Sequence, residues 1–263
     1  MNLELTDKVA LVAASSQGLG KAVAMCLARE GAKIALCARG SEALEATATE
    51  IRKETGVEVF AAPADVTAES RVKSYVEQVV AFFGRIDICV ANAGGPPAKP
   101  FDQTTSDEWR RAIELNFLST LYLAQATLPL MKAQRWGRFV SVTSISIKQP
   151  LPNMALSNSV RAAVTGLMKT LSTEYAPFNV LVNNVCPGYT ATTRLTDLAD
   201  ALAKSGNTTP AEVASKWTSQ IPLGRLATPQ EFADAVVFLC SQRASYITGV
   251  SLAVDGGFAK GLL

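Results

Sequence analysis

The chain has no histidine among its 263 residues. That absence removes the commonest general base and the usual zinc ligand together, and it excludes hydrolysis by a Ser-His-Asp triad. An excess of charge is also missing: 25 lysines and arginines stand against 23 acidic residues, a formal net charge of +2. No general field draws such a chain to nucleic acid or to an anionic membrane, although a local basic site can still exist. The five cysteines, Cys26, Cys37, Cys89, Cys186 and Cys240, each sit in an apolar run without CxxC spacing. They read as small buried hydrophobes rather than bridges or metal ligands, and a reducing cytoplasm is the expected location. No apolar run reaches membrane-spanning length, and the opening MNLELTDKVALVAA lacks a basic region followed by a signal-length apolar segment. A soluble protein with no membrane partner is therefore expected.

What is present is apolar and regular. With 48% hydrophobic and 18% charged residues, the chain can bury one substantial core. Seven short runs, KVALVAA, KIALCAR, EVFAAPADV, DICVANAG, RFVSVTS, VLVNNVCPG and SLAVDGG, read as strands. Their near-continuous apolar character suits a parallel sheet covered on both faces. Helices are expected from Gly18 to Gly31, Ser41 to Thr55, Glu69 to Gly84, Ser106 to Lys132, Asn153 to Ala176 and Pro229 to Ser241. Thr105 with Glu108, Thr209 with Glu212, and Thr228 with Glu231 each form a T-x-x-E capping box, and Pro210 and Pro229 suit the first helical position. The alternation predicts one α/β domain over residues 1–263, a Rossmann-like doubly wound parallel sheet of about seven strands. Thr190 to Leu223 breaks the rhythm and reads as two short helices joined at SGNTTP, either a substrate lid or a plain surface insertion.

After the first strand comes AASSQGLGKAVAMCLARE. Gly18 and Gly20 permit a tight turn and close approach to phosphate oxygens, and the amides opening the next helix can hold those anions. The strand before and helix after strengthen this dinucleotide signal. The second strand ends in CAR, with no acidic residue to bind a free adenosine ribose. Arg39 can pair with a 2'-phosphate, which favours NADP(H) over NAD(H); the alternative is a solvated surface arginine.

Together these stretches resemble the short-chain dehydrogenase/reductase family, nearest the 3-oxoacyl-acyl-carrier-protein reductase type. The resemblance runs from DKVALVAASSQGLG through ANAG, NFLST and NNVCPG to ITGVSLAVDGG. Against the family's TGxxxGxG loop, Ala13 and Ala14 replace the Thr and first Gly, while Gly18 and Gly20 match, with Ser16, Gln17 and Leu19 completing the loop. The methyl of Ala14 is expected to displace the loop or demand a different backbone angle. The resemblance also implies cofactor contacts from Asp65 and Val66 at the adenine, from Asn92, Ala93 and Gly94, and from Pro187, Gly188 and Thr192, whose threonine contacts the nicotinamide amide.

The same resemblance implies an Asn-Ser-Tyr-Lys tetrad for carbonyl reduction. Asn116 and Ser144 match its first two members, each with a bland alternative as a satisfied core amide or a strand-end serine. Alignment on AAVTGLMKTL brings Ser157 to the tyrosine position and Arg161 to the lysine position. Helical spacing keeps the two on one face, but serine is a poorer and shorter acid, and arginine keeps the charge without releasing a proton. Arg161 is expected to fork to the cofactor's ribose hydroxyls. Of the tyrosines, Tyr189 is the one near the expected mouth, as a substitute donor or, more simply, a ring shaping the pocket. Two functional readings follow: an NADP-dependent oxidoreductase acting on a small carbonyl or acyl thioester through a modified site, or a noncatalytic NADP-binding or scaffold protein of the same fold. Assembly as a homotetramer or homodimer is implied by the resemblance. Nucleic acid is not an expected partner.

Overall fold

The computed structural model describes residues 1–262; Leu263, the last residue of the expected domain, lies outside them. Every residue of β1 (Val9–Ala13) is buried, and successive side chains divide between two cores. Ala10 and Val12 join Val23, Leu27, Phe232 and Val236 on one face. Val9, Leu11 and Ala13 join Tyr75, Leu128, Val164 and Met168 on the other. A strand covered on both sides has no wet face, which is why its sequence is a continuous apolar run.

The remaining strands are β2 (Lys33–Ala38), β3 (Val59–Pro63), β4 (Ile88–Ala91), β5 (Gly137–Val142), β6 (Val180–Pro187) and β7 (Ser251–Val254). They form one sheet in the order β3-β2-β1-β4-β5-β6-β7, parallel throughout. The chain builds outward one way through β3, then restarts beside β1 and builds the other way. The crevice beyond the strands' carboxyl ends at that reversal is where such sheets take ligands.

Helices α1 (Gly18–Arg29), α2 (Ser41–Thr55) and α3 (Glu69–Phe83) follow the first three strands. All three expected capping boxes form, ahead of α4 (Ser106–Ala112), α8 (Pro210–Thr218) and α9 (Pro229–Cys240). The single helix expected from Ser106 to Lys132 is interrupted: α4 passes into a π-helical turn at Ile113–Leu118 before α5 (Ser119–Gln134). The apolar spacing carries no sign of this widening. It buries Asn116 at 4% exposure, where Nδ2 donates to the carbonyl of Gly94 at 2.6 Å. A further helix, α6 (Ala155–Tyr175), starts two residues later than expected because Asn153 takes φ +58°, a left-handed conformation outside the α-helix.

The segment after β6 forms α7 (Thr193–Gly206) and α8, separated where Asn207 turns left-handed at φ +48°. Its two ends are tied together by a parallel bridge between Thr190 and Ala227. Trp217 stacks on Tyr189 at 5.1 Å, which presses α8 toward the end of β6. All five cysteines are buried and unpaired, and burial pushes the Cys37 and Cys240 thiols up to about 12. Among the described residues, no helix is long and apolar enough to cross a membrane.

Candidate active site

The loop after β1 carries Ala14 at the position where the resemblance implies a glycine. Ala14 keeps the left-handed conformation that a glycine would take freely, at φ +47°, so its methyl is accommodated by strain rather than by a different backbone path. Gly18 stands at φ +59°. Gly20 meets a different demand: a methyl there would lie 2.3 Å from the Ala14 carbonyl oxygen and 2.8 Å from Asn92 Nδ2. Asn92, just past β4, donates from that Nδ2 to the Ala13 and Ala14 carbonyls, each at 3.3 Å. It thereby clamps β4 to the glycine loop at the point where the strand order reverses.

Helix α1 opens with no side-chain cap from Gln17 and no acidic residue in its first turn. Its leading amides and the positive end of its dipole are left for an anion, so this donor set fits the phosphates of a dinucleotide. Ser16 offers its carbonyl to Thr47 Oγ1 at 3.0 Å, joining the loop to α2. Past the end of β2, Arg39 is exposed and has no hydrogen bond or ion pair among the described residues. Asp65 accepts from the Thr67 amide at 3.0 Å and from its hydroxyl at 2.8 Å. The Thr67 amide, more than the Arg39 charge nearby, holds its carboxyl below the usual range. Val66, beside it, packs against the core on the α3 side.

Across the carboxyl ends of β4, β5 and β6 lies a cavity of about 190 Å³ whose walls include Leu19, Asn92, Ala93, Ser144, Ser157 and Arg161. Ser144 Oγ accepts from the Ser146 amide at 3.1 Å, so its own proton is free to be donated elsewhere. Ser157 is 3% exposed, and its hydroxyl has no hydrogen bond among the described residues. The expected one-face placement of Ser157 and Arg161 is met, since both line this cavity. Asn116 leaves Oδ1 buried and without a partner.

Arg161 is directed differently from the ribose fork expected for it. Nη1 donates to the carbonyls of Val142 at 3.1 Å and Thr143 at 2.7 Å, and Nη2 to that of Gly94 at 3.4 Å. These backbone carbonyls lie within the reach of a guanidinium and take three of its five N–H donors. Burial, and then the neighbouring Arg194, pull its pKa down to about 10, so it remains a cation at neutral pH.

The strip after β6 is shaped by packing. Gly188 is needed because a methyl there would sit 2.7 Å from Asp255 Cα, and Pro187 ends the strand beside it. Thr192 caps α7 by accepting from the Leu195 amide at 3.4 Å, and its methyl end faces Gly18. Tyr189 lines the cavity as a ring held between Trp217 and Phe258, with its hydroxyl pKa raised by burial. Sequence reasoning missed Arg194, whose Nη2 donates to the Pro96 carbonyl at 3.4 Å over the same cavity. The one available signal was a cation two positions past Thr192 in a segment read only for its helices.

Comparison with known proteins agrees with this geometry. A family model described as enoyl-(acyl carrier protein) reductase matches residues 13–259. The 3-oxoacyl-[acyl-carrier-protein] reductase FabG of Aquifex aeolicus is 34% identical over 257 residues, covering 98% of this chain and 99% of that protein. The 7alpha-hydroxysteroid dehydrogenase of Escherichia coli is 32% identical over 256 residues, covering 97% and 96%. The structure of L-sorbose reductase from Gluconobacter frateurii, complexed with NADPH and L-sorbose, superimposes with a TM-score of 0.95 at 34% identity over 100% of both chains. These relatives are oxidoreductases, and with the parallel sheet, the glycine loop and the crevice above them, the chain belongs to the short-chain dehydrogenase/reductase family, in its 3-oxoacyl-acyl-carrier-protein reductase-like subgroup.

Proposed function

We propose that this protein is an NADP(H)-dependent oxidoreductase that interconverts the keto group of a small carbonyl compound or 3-oxoacyl thioester and the corresponding alcohol through a modified active site. The observation that carries the reading is the pair of hydroxyls, Ser144 and Ser157, in one cavity beside the glycine loop, each with a proton that no acceptor among the described residues takes. The cofactor would lie over Gly18, Leu19 and Gly20, with its adenine end at Asp65 and Val66 and its nicotinamide end between the Asn92, Ala93 and Gly94 strip and the Pro187, Gly188 and Thr192 strip. Arg39, unpaired at the mouth, supports NADP over NAD, as an arginine fork suits a 2'-phosphate. When bound, the cofactor supplies or accepts a hydride at its nicotinamide.

The chain's own residues then do the rest. Ser144 donates to the substrate oxygen. Ser157, shorter than a tyrosine by a ring, passes its proton through a water. The stretch Thr190 to Leu223 acts as a lid that keeps bulk water out, with Leu195 and Leu198 in the cavity wall. Losing a matched general acid costs about 100- to 10,000-fold, so turnover is slow and rests largely on positioning.

A second reading, a cofactor-binding or scaffold protein without turnover, is favoured by one observation: three of the five Arg161 donors are engaged by backbone carbonyls. NADPH titration by fluorescence, followed in the same sample by a screen of short 3-oxoacyl thioesters and other carbonyls, separates the two. Binding with turnover supports the oxidoreductase, binding alone supports the second reading, and absence of binding refutes both NADP readings. Five unpaired buried cysteines support a cytoplasmic location. An apolar groove between α3 and α5 of about 690 Å³, walled by Val76, Val80, Tyr122 and Leu130, supports assembly into a homodimer or homotetramer.

A further inference from the structure

Arg194 has no part in the chemistry described above, yet it stands beside Arg161 at the wall of the same cavity. A methyl group placed on Gly95 would meet Arg194 Nη2 at 2.6 Å and Arg161 Nη2 at 3.3 Å. The two guanidinium groups therefore flank one point. Like charges so placed repel, and among the described residues no aspartate or glutamate lines the cavity to relieve them. Neither arginine forms an ion pair among the described residues. Arg194 also lies in the first turn of α7, where a cation is disfavoured by the helix dipole and no acidic residue shares that turn. Burial lowers the basicity of both, with Asp197 a weaker influence in the other direction on Arg194. Of the five donors on Arg194, one has a partner among the described residues, the Pro96 carbonyl.

We infer that Arg194, with Arg161 beside it, forms an anion subsite for a carboxylate carried by the substrate, which makes the carbonyl compound an oxo acid. The inference rests on the oxidoreductase reading and narrows it. A cofactor phosphate is the other source of negative charge, but its place is at the uncapped start of α1 and at Arg39. The point between the arginines lies at Gly95, and Arg161 is anchored on the carbonyls of Val142 and Thr143, immediately before Ser144. The subsite thus adjoins the hydroxyl that meets the reacting oxygen. A planar carboxylate matches the guanidinium fork, holding the carbonyl by a second point without using either serine.

The test uses the full chain and two probes with the same reducible carbonyl, 3-oxobutanoate and its methyl ester. Calorimetry measures their binding to the protein saturated with NADP+, and turnover is followed separately with NADPH, for the wild type, Arg194→Gln and Arg194→Lys. The acid is expected to bind at least about tenfold more tightly than the ester, as charge-assisted bonds require. Arg194→Gln removes that advantage and Arg194→Lys retains part of it. Equal affinity for acid and ester, binding of neither, or an equal loss for both in Arg194→Gln overturns the subsite. So does a loss of NADPH affinity in Arg194→Gln with the acid's advantage intact, since the anion is then a cofactor phosphate. Tight, Arg194-dependent binding of the acid without turnover keeps the subsite and removes the oxidoreductase reading. Turnover of acid and ester with equal affinity does the reverse.

Discussion

Replacing Gly20 by alanine tests the glycine loop at its tightest point. The added methyl would lie 2.3 Å from the Ala14 carbonyl oxygen and 3.0 Å from its carbonyl carbon. Both are backbone atoms that no rotamer change can move. Reaching ordinary van der Waals contact requires the loop and α1 to part by about 1 Å. That movement strains the two Asn92 bonds to the Ala13 and Ala14 carbonyls, and overpacking of this kind costs about 1–3 kcal/mol. Weakened hydrogen bonds add about 1 kcal/mol, and the better helix propensity of alanine within α1 returns about the same. A net loss of about 2 kcal/mol lowers Tm by roughly 4–8 °C in a chain of this size. The same displacement carries the α1 amides away from the phosphates, and NADPH affinity falls more than about tenfold as those charge-assisted bonds are lost. Lys21→Ala, at the next position, removes only the half-exposed pair with Glu50 and should leave stability within about 0.5 kcal/mol. Thermal unfolding by circular dichroism and an NADPH fluorescence titration measure both effects. A Gly20→Ala protein with wild-type Tm and wild-type affinity would refute the close passage on which the cofactor trench is built.

Three further outcomes follow from the site. The double substitution Ser157→Tyr with Arg161→Lys supplies a phenol and an ammonium that can face the cavity, and kcat for a carbonyl substrate should rise by about 100-fold or more; no gain would show that the missing acid is not what limits turnover. Arg39→Ala removes the cation at the mouth of the trench and should weaken NADPH binding about 10- to 100-fold while leaving NADH unchanged, and equal losses for the two coenzymes would remove the case for the 2'-phosphate. Tyr189→Phe keeps the ring between Trp217 and Phe258 and should hold kcat within about twofold, whereas a fall of about 100-fold or more would make its hydroxyl the proton donor.

The elements were legible because their signals are local. Val9 to Ala13 declares a buried strand by its unbroken apolar run, and Thr228 with Glu231 declares a helix start, because each pattern needs only its own neighbours and a period. The π turn at Ile113–Leu118 was not legible, since Asn116 is drawn inward by the Gly94 carbonyl, a partner on another strand's end. Ala14 shows the same division. Its replacement of a glycine is visible in the chain, but only the folded loop reveals that the left-handed angle is kept and the methyl tolerated.

By itself, then, the sequence determined the alternation of strands and helices, the glycines at positions 18 and 20, and the serine and arginine four residues apart at positions 157 and 161. Tertiary structure alone decided where the Arg161 donors go, that the Ser157 hydroxyl is left without a partner among the described residues, and that Arg194 comes to stand beside Arg161. Periodicity and backbone preference act between residues near in the chain, whereas the orientation of a long charged side chain is set by which carbonyls and cations the fold brings within a few ångströms of it.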